Sequence, residues 1–236
     1  MKAALLDTLN KARAEKKQIA LITDVAEGIQ TLIVDGEIVD GVEPTPNLRA
    51  EAAAAIANDR SKIVAAEDTR HFIHVFNPPK RMIVVGAVHI AQSLAPMAAI
   101  AGYDVTIIDP RGAFATVERF PGVTLCNEWP DDAMPKLNPD RRTAVVTLTH
   151  DPKIDDPALI AALRTDAFYI GSLGSRKTHA SRLERLGKES FGDSDLTRIH
   201  GPIGLNIGAV SQAEIAISIL GQITEVLHRA RQDKTA

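Results

Sequence analysis

The sequence has almost no cysteine. A single thiol, Cys126, occurs in 236 residues, so no second cysteine is available for an internal disulfide. The same scarcity excludes structural metal sites of the kind built from clustered cysteines. Because Cys126 ends the apolar run VTLC, we predict that it is a small buried residue rather than a reactive thiol.

Long apolar runs and an excess of one charge are also missing. No apolar run approaches about 18 residues, and the N-terminal stretch to Lys17 reads as an amphipathic helix without the apolar core of a signal peptide. The formal net charge is −3, so the chain lacks the excess of positive charge that is typical of proteins that bind nucleic acid or an anionic membrane. We therefore expect a cytoplasmic protein with no membrane span and no nucleic-acid partner.

Several catalytic motifs are absent as well. The chain contains no G-x-S-x-G elbow, no H-E-x-x-H pair and no G-x-x-x-x-G-K-[ST] loop. The sequence therefore carries no hydrolase motif. Its residues predict a binding pocket, but they do not indicate a reaction.

The most regular stretch of the chain runs from Arg81 to Arg111. Met82 to Val85 is a short run of mostly β-branched apolar residues, which is typical of a strand buried on both faces of a parallel sheet. Gly86 ends this strand, apolar residues recur at helical spacing from His89 to Ala101, and a second buried strand covers Val105 to Ile108. This pattern predicts one complete βαβ unit.

The βαβ unit resembles a dinucleotide-binding fingerprint with one glycine missing. Asp109 follows Gly86 by 23 residues, close to the distance at which an acidic residue binds a ribose hydroxyl. However, Val88 occupies the slot of the second glycine, where the backbone normally meets a pyrophosphate. We expect a nucleotide either to bind at a shifted angle or not to use this loop.

The patterns on either side of Pro79 differ. The first 78 residues read as a helix, an antiparallel set of strands with a hairpin at Asp35-Gly36, and an alanine-rich second helix. After Pro79, strands alternate with helices, which predicts parallel pairing. The further strands are predicted at 123–126, 143–148 and 167–170, and the further helices at 155–163, 179–186 and 211–231. We predict an α/β fold: a Rossmann-like parallel sheet with helices on both faces over residues 79–236, preceded by a small α+β domain over 1–78.

Candidate binding residues follow the ends of these strands, because open parallel sheets bind ligands outside the carboxyl ends of their strands. Glycine-rich turns, hydroxyls and guanidinium groups at these positions suit an anionic ligand such as a phosphate. The candidate set is Gly86, Ala87, Val88, His89, Asp109, Arg111, Thr149, His150, Asp151, Gly171, Gly174, Ser175 and Arg176.

Structural roles remain open for several of these residues. The turn from Gly171 to Arg176 is either an anion site or an ordinary strand-to-helix connection. Asp109 is either a ribose or ring acceptor or a cap at the strand end. His89 and His150 are candidates for proton transfer or metal ligation, although a single histidine is more often structural, and no spacing fixes a metal site.

Four segments in fixed order resemble the XdhC/CoxI accessory factors of xanthine dehydrogenase and carbon monoxide dehydrogenase. They are VVGAVHIAQSLAPMAAIAGYDVTIIDPR with FATVERFP, TLTHDPKIDDPALIAAL, FYIGSLGSRKTHASRLERLG and RIHGPIGLNIGAVSQAEIAISILGQI. Together they cover nearly all of 81–223. The combination of THD, YIGSLGSRK and PIGLNIG is more specific than any one of the segments.

The resemblance implies a chaperone for molybdenum cofactor, as molybdopterin or its dinucleotide form. Its expected partners are a cysteine desulfurase, which supplies the terminal sulfur of the cofactor, and a molybdenum hydroxylase that receives it. A homodimer is also expected from the family. The Rossmann lineage leaves FAD or NAD(P) as alternative ligands, with an oxidoreductase or a nucleotide sensor as the alternative function.

The N-terminal part departs from the family pattern. Members carry a glycine-glycine-cysteine-x-glutamate motif after the hairpin, whereas this chain has Gly41-Val42-Glu43-Pro44 and no thiol. The resemblance therefore implies a divergent member, which either binds a nucleotide or assists a different step of metal-centre assembly, such as the building of a molybdenum and copper centre.

Overall fold

The computed structural model of the chain describes residues 3–66 and 69–232, with side chains described up to residue 229. The chain divides into two compact units, Met1–Pro78 and Pro79–Ala236. Within the described residues, no helix combines the length and the apolarity needed to cross a bilayer.

The first unit is a five-stranded antiparallel sheet with two helices. Its strands follow the order β3-β2-β1-β5-β4. Alternate residues of β1 pack on opposite faces: Ala20 and Ile22 contact the core under α2, and Ile19 and Leu21 contact the core under α1. The elements are α1 (Ala3–Ala14), β1 (Ile19–Asp24), β2 (Gln30–Val34), β3 (Glu37–Asp40), α2 (Pro46–Ala57), β4 (Lys62–Ala66) and β5 (Thr69–Phe76). This unit has the predicted α+β character, and its β2–β3 hairpin turns at Asp35-Gly36 as predicted.

The second unit alternates strands and helices. Its elements are β6 (Lys80–Val85), α3 (His89–Ile100), β7 (Tyr103–Ile108), β8 (Thr124–Cys126), α4 (Pro130–Leu137), β9 (Thr143–Thr147), α5 (Pro152–Leu163), β10 (Tyr169–Ser172), α6 (Arg176–Leu186), α7 (Asp193–Leu196), β11 (Ile199–His200) and α8 (Gln212–Gln232). All pairings in its sheet are parallel.

The strand order of this sheet is β11-β10-β9-β6-β7-β8. Counted from β6, this is the 3-2-1-4-5-6 order of the doubly wound Rossmann fold, read from the opposite edge. The chain reverses direction across the sheet between β6 and β9, so their carboxyl ends form the crevice where such folds bind ligands. The sequence prediction of a Rossmann-like parallel sheet is confirmed.

Helices cover both faces of this sheet, as predicted. Helices α3 and α8 pack on one face against strand residues that include Met82, Val84 and Ile107. Helices α4, α5 and α6 pack on the other face against Ile83, Val85 and Val145. The side chains of β6 therefore alternate between two apolar cores, which explains why this strand is an unbroken apolar run in the sequence.

Three elements, α4, α7 and β11, were not predicted, and two helices begin earlier than predicted. Helix α4 carries two prolines and buries only Pro130, Ala133 and Met134, so its apolar repeat is short. Strand β11 has two residues and is identified only through its pairing with β10. Helices α5 and α6 each begin three residues before their predicted starts, because Asp151 and Ser175 accept the backbone N–H groups of Lys153 and Thr178 as N-caps.

Candidate functional site

Gly86 and Thr149 meet at the point where the strand order reverses. Gly86 follows β6 with φ +111°, and a Cβ atom on it would lie 2.6 Å from Cγ2 of Thr149. The glycine is therefore required by its contact with the neighbouring turn as well as by its own backbone conformation. Its N–H donates to the carbonyl of Ile108 at 2.8 Å, so the amide that was predicted to face an anion already has a partner within the protein.

Asp109 is completely buried and its carboxylate binds protein groups. One oxygen accepts the N–H of Ala87 at 2.8 Å and the Nη2 group of Arg111 at 2.8 Å. The other oxygen accepts the backbone N–H and the Nε group of Arg111 at 3.0 and 2.9 Å. In this conformation the carboxylate fixes the Gly86-Ala87 turn and the guanidinium of Arg111.

Hydrogen bonding determines the charge state of this pair. Burial by itself would raise the pKa of Asp109, but the hydrogen bonds from Arg111 and Ala87 outweigh it and lower the pKa. Bonding to Asp109 raises the pKa of Arg111, with smaller contributions from the charges of Asp151 and Asp155. The side chain of Arg111 is 38% exposed and stacks over the ring of Phe114 at 4.6 Å, so it presents a fixed positive charge at the crevice.

Val88 and His89 begin helix α3. Val88 is the N-cap residue and packs, partly buried, against the core under α3 and α8. Its side chain thus contributes to the core at the slot where the fingerprint has its second glycine. His89 is exposed at the first helical position, and no contact of its ring with another candidate residue is observed within the described parts of the chain.

The turn after β9 is organised by Asp155, a residue that the sequence analysis did not select. Asp155 is 1% exposed and accepts the Thr149 hydroxyl at 2.7 Å and the N–H groups of Thr149 and His150 at 3.3 and 3.1 Å. Asp151 donates its N–H to the Thr149 hydroxyl at 3.0 Å. Burial raises the pKa of Asp155, although these hydrogen bonds and the charge of Arg182 oppose the shift. The imidazole of His150 is left exposed, on a residue with φ +62°.

The candidates around β10 occupy different environments. Gly171 lies inside β10, where a Cβ atom would come within 2.7 Å of Ile203 and Tyr169, so close packing requires a glycine here. Gly174 has φ +145° and approaches Thr178. Ser175 accepts the Thr178 N–H at 3.1 Å as the N-cap of α6. Arg176 is exposed at the first position of that helix.

Arg182 is a second buried charged residue outside the predicted candidate set. Its side chain is 2% exposed, its Nη2 group donates to the carbonyl of Leu173 at 2.9 Å, and it lies 4.0 Å from the carboxylate of Asp155. Its Nε and Nη1 groups have no hydrogen-bond partner among the residues that the structure describes. The only sequence indication was its spacing of four residues from both Thr178 and Leu186, which places all three on one helix face.

Most of the candidates are linked by these contacts into one network. Ala87, Asp109 and Arg111 form one group, and Thr149 contacts both Gly86 and Asp151. Asp155 and Arg182 extend the network to the Gly174 turn. Residues 3–66 and 69–232 contain no cluster of three or more His, Cys, Asp or Glu side chains able to hold a metal ion. The arrangement is thus a polar crevice with fixed cations.

These features define a doubly wound α/β protein with a polar crevice at its switch point. Residues 82–223 match the family described as the XdhC Rossmann domain. This match covers more than half of the chain, and the protein therefore belongs to that family.

Two curated bacterial proteins are similar to this chain. The molybdenum cofactor insertion chaperone PaoD of Escherichia coli strain K12 is 30% identical over 158 residues, which are 67% of this chain and 43% of PaoD. A probable xanthine dehydrogenase subunit of Bacillus subtilis strain 168 is 30% identical over 164 residues, covering 69% of this chain and 48% of the relative. The chain thus spans less than half the length of either relative.

A solved structure shares the fold of nearly the whole chain. It is described as a xanthine dehydrogenase (BH1974) from Bacillus halodurans, and it superposes with a TM-score of 0.75 at 22% identity. The alignment covers 97% of this chain and 66% of that structure.

Proposed function

We propose that this protein binds molybdenum cofactor as cargo and assists its insertion into a molybdenum hydroxylase of the xanthine dehydrogenase type. The observation that carries the proposal is the crevice between β6 and β9, where Asp109 holds Arg111 as a fixed and partly exposed cation. Membership of the XdhC family and the names of the two relatives support the choice of cargo and of target enzyme.

The residues of the crevice suit the organic part of such a cargo. The cofactor carries a phosphate, or a diphosphate in its dinucleotide form, and Arg111 offers the guanidinium donors that bind phosphate well. The exposed imidazole of His150 offers a polar contact for the pterin. In this proposal the protein holds the cofactor through its phosphate and ring, without supplying a ligand to the metal.

Insertion, rather than sulfuration, is the step that we propose. The single thiol, Cys126, is half-buried at the end of β8 and packs against the core beneath α4 and α5. This placement favours the packing role predicted from the sequence over a role in sulfur transfer. A cysteine desulfurase would then act on the bound cofactor from outside this chain.

A dinucleotide such as FAD or NAD(P) is the second candidate ligand, because the strand order is that of dinucleotide-binding folds. The hydrogen bonds of Gly86 and Asp109 argue against the usual binding mode. Both groups that would face the nucleotide are bonded to other parts of the protein. A nucleotide would have to break these contacts or bind elsewhere in the crevice.

Analysis of released ligands tests the proposal. The full chain is purified from cells that make molybdenum cofactor and is denatured, and the released molecules are identified by absorbance, fluorescence and mass. We expect substoichiometric pterin, and transfer of activity to a cofactor-free molybdenum hydroxylase on mixing. Flavin or nicotinamide without pterin, including after incubation with the cofactor, would rule the proposal out.

Two variants and a matched control sharpen this test. Replacing His150 with Asn removes the imidazole but suits the left-handed backbone at this position. Arg111→Ala removes the exposed guanidinium, and Arg164→Ala removes an exposed arginine at the other end of α5. We expect Arg111→Ala to lower bound pterin by about tenfold or more, the effect of a lost charge-assisted hydrogen bond, and Arg164→Ala to leave it unchanged. The thermal midpoint of each variant separates loss of binding from loss of folding.

A further inference from the structure

A cavity lies between helices α5 and α6, beside the crevice. Its volume is about 260 Å³, and α6 contributes Lys177, Thr178, Ser181, Arg182 and Arg185 to its wall. All five are donors, since a lysine ammonium, two hydroxyls and two guanidinium groups carry hydrogen-bonding protons.

The buried guanidinium is the unusual feature of this cavity. Arg182 is 2% exposed, and its Nε and Nη1 groups lack hydrogen-bond partners within the described part of the chain. Burying charged donors without acceptors is costly, so native structures usually satisfy them with protein, water or ligand. Burial also lowers the pKa of Arg182, which reflects the same loss of solvation. An anion in the cavity would supply the missing acceptors.

The two carboxylates that line the cavity are already engaged. Asp156 accepts Nε and Nη2 of Arg185 at 2.6 and 3.0 Å, in a two-pronged ion pair. Asp155 accepts the hydroxyl and N–H of Thr149 and the N–H of His150. With these two acids against Lys177, Arg182 and Arg185, the wall has an excess of one positive charge.

We propose that this cavity is a binding subsite for a phosphate group, with Arg182 as its buried cation and Lys177 as its exposed one. Phosphate fits better than carboxylate because it has more acceptor oxygens and can bind the guanidinium, the ammonium and the two hydroxyls together. The subsite holds a phosphate whether it is a free ion or part of a larger molecule. It goes beyond the proposed function, since it does not depend on whether the protein carries molybdenum cofactor.

Titration of the full chain with inorganic phosphate and with pyrophosphate tests this subsite. Binding is measured by calorimetry at low ionic strength, where contacts with charged side chains are strongest. We expect saturable binding that is weakened at least fivefold in Lys177→Ala and measurably in Ser181→Ala. Lys188→Ala is the matched control, because it removes an exposed lysine just beyond the other end of α6. We expect this control to bind as tightly as the unmodified protein.

Two results would overturn the subsite. One is the absence of saturable binding for both probes, and the other is equal affinity in Lys177→Ala and Lys188→Ala. Arg182→Gln, which retains a donor for the Leu173 carbonyl, is expected to lose binding altogether. If this variant fails to fold, the Lys177 and Ser181 variants still decide the question. No pterin is used, so failure here is distinguishable from failure of the proposed function.

Discussion

At the scale of single residues, Gly86 shows how one position can serve packing and ligand access together. A glycine after the first strand of a Rossmann unit is usually explained by the approach of a pyrophosphate. Here the nearest obstacle to a side chain is Thr149, on the turn that follows β9. The two sides of the crevice are therefore in contact before any ligand enters, and the contact sets how far apart they lie.

Gly86→Ala should destabilise the second unit by about 2–4 kcal/mol, because alanine is strained at φ +111° and its Cβ would collide with Thr149. Thr149→Ser removes the colliding methyl group and keeps the hydroxyl that binds Asp155. In the double variant we expect part of the loss to be recovered. Urea unfolding of the four proteins in a double-mutant cycle measures the coupling, and simple additivity would contradict the contact.

Asp109→Asn should lower stability by about 1–3 kcal/mol at pH 7, since an amide cannot accept all the donors that now meet the carboxylate. The folded pKa of Asp109 lies below its unfolded value. The contribution of the carboxylate is therefore complete above an unfolded pKa of about 4 and disappears as the pH falls through the folded pKa. Unfolding free energies should differ at pH 7 and converge in acid. A difference that does not depend on pH would refute this ion-pair role.

Asp155 and Arg182 show where residue-level reasoning from the sequence stopped. Asp109, Thr149 and His150 follow predicted strands directly, which is where a parallel sheet is expected to bind a ligand. Asp155 and Arg182 lie farther along the chain, inside α5 and α6. A charged residue on a helix usually faces solvent, so the burial of these two became apparent only when the helices were packed on the sheet.

At the scale of elements, the predictable parts are those with long apolar patterns. Strands β6 and β9 are buried on both faces over Met82–Val85 and Thr143–Thr147, and β7 is buried mainly on one face; all three are rich in β-branched residues. Strand β11 has only two residues, which is too short for a periodic pattern in the sequence. It is identified by its pairing with β10. The starts of α5 and α6 depend on single N-cap side chains. Several nearby polar residues could serve as the N-cap equally well in the sequence, so the exact start of each helix cannot be predicted from it.

Gln222 joins three elements around the loop that precedes α8. Its Oε1 atom accepts the hydroxyl of Tyr169 on β10 at 2.6 Å and the N–H of Gly204 at 2.9 Å. Burial raises the pKa of Tyr169, which keeps the phenol protonated and able to donate. The loop from Gly201 to Gly208 is thereby attached to both the sheet and the last helix.

Gln222→Leu should cost about 1–3 kcal/mol, because it leaves the buried Tyr169 hydroxyl and the Gly204 N–H without their acceptor. Gln222→Glu keeps an acceptor at this position, so we expect a smaller loss. Thermal unfolding of both variants measures the difference, and hydrogen exchange at Gly204 reports on the loop itself. Equal destabilisation by the two substitutions would show that the acceptor does not matter.

At the scale of the whole molecule, the two units have separate hydrophobic cores. The clusters beneath α1 and α2 contain only residues up to Phe76, and the clusters of the parallel sheet contain only residues from Met82 onward. The match to the XdhC Rossmann domain, residues 82–223, falls within the second unit. The described crevice and the α5–α6 cavity are also built from residues of that unit alone.

We therefore predict that a fragment from Pro79 to Ala236 folds by itself. A chain of roughly 160 residues buries enough surface on folding for independent stability. Its strands have all their described pairings within the unit. Far-UV circular dichroism and thermal unfolding should show a cooperative α/β domain, and phosphate titration should give the same affinity as in the full chain.

A fragment that lacks a cooperative transition would mean that residues 1–78 are needed to complete the fold. A fragment that folds normally but binds phosphate much more weakly would place part of the anion site in the N-terminal unit.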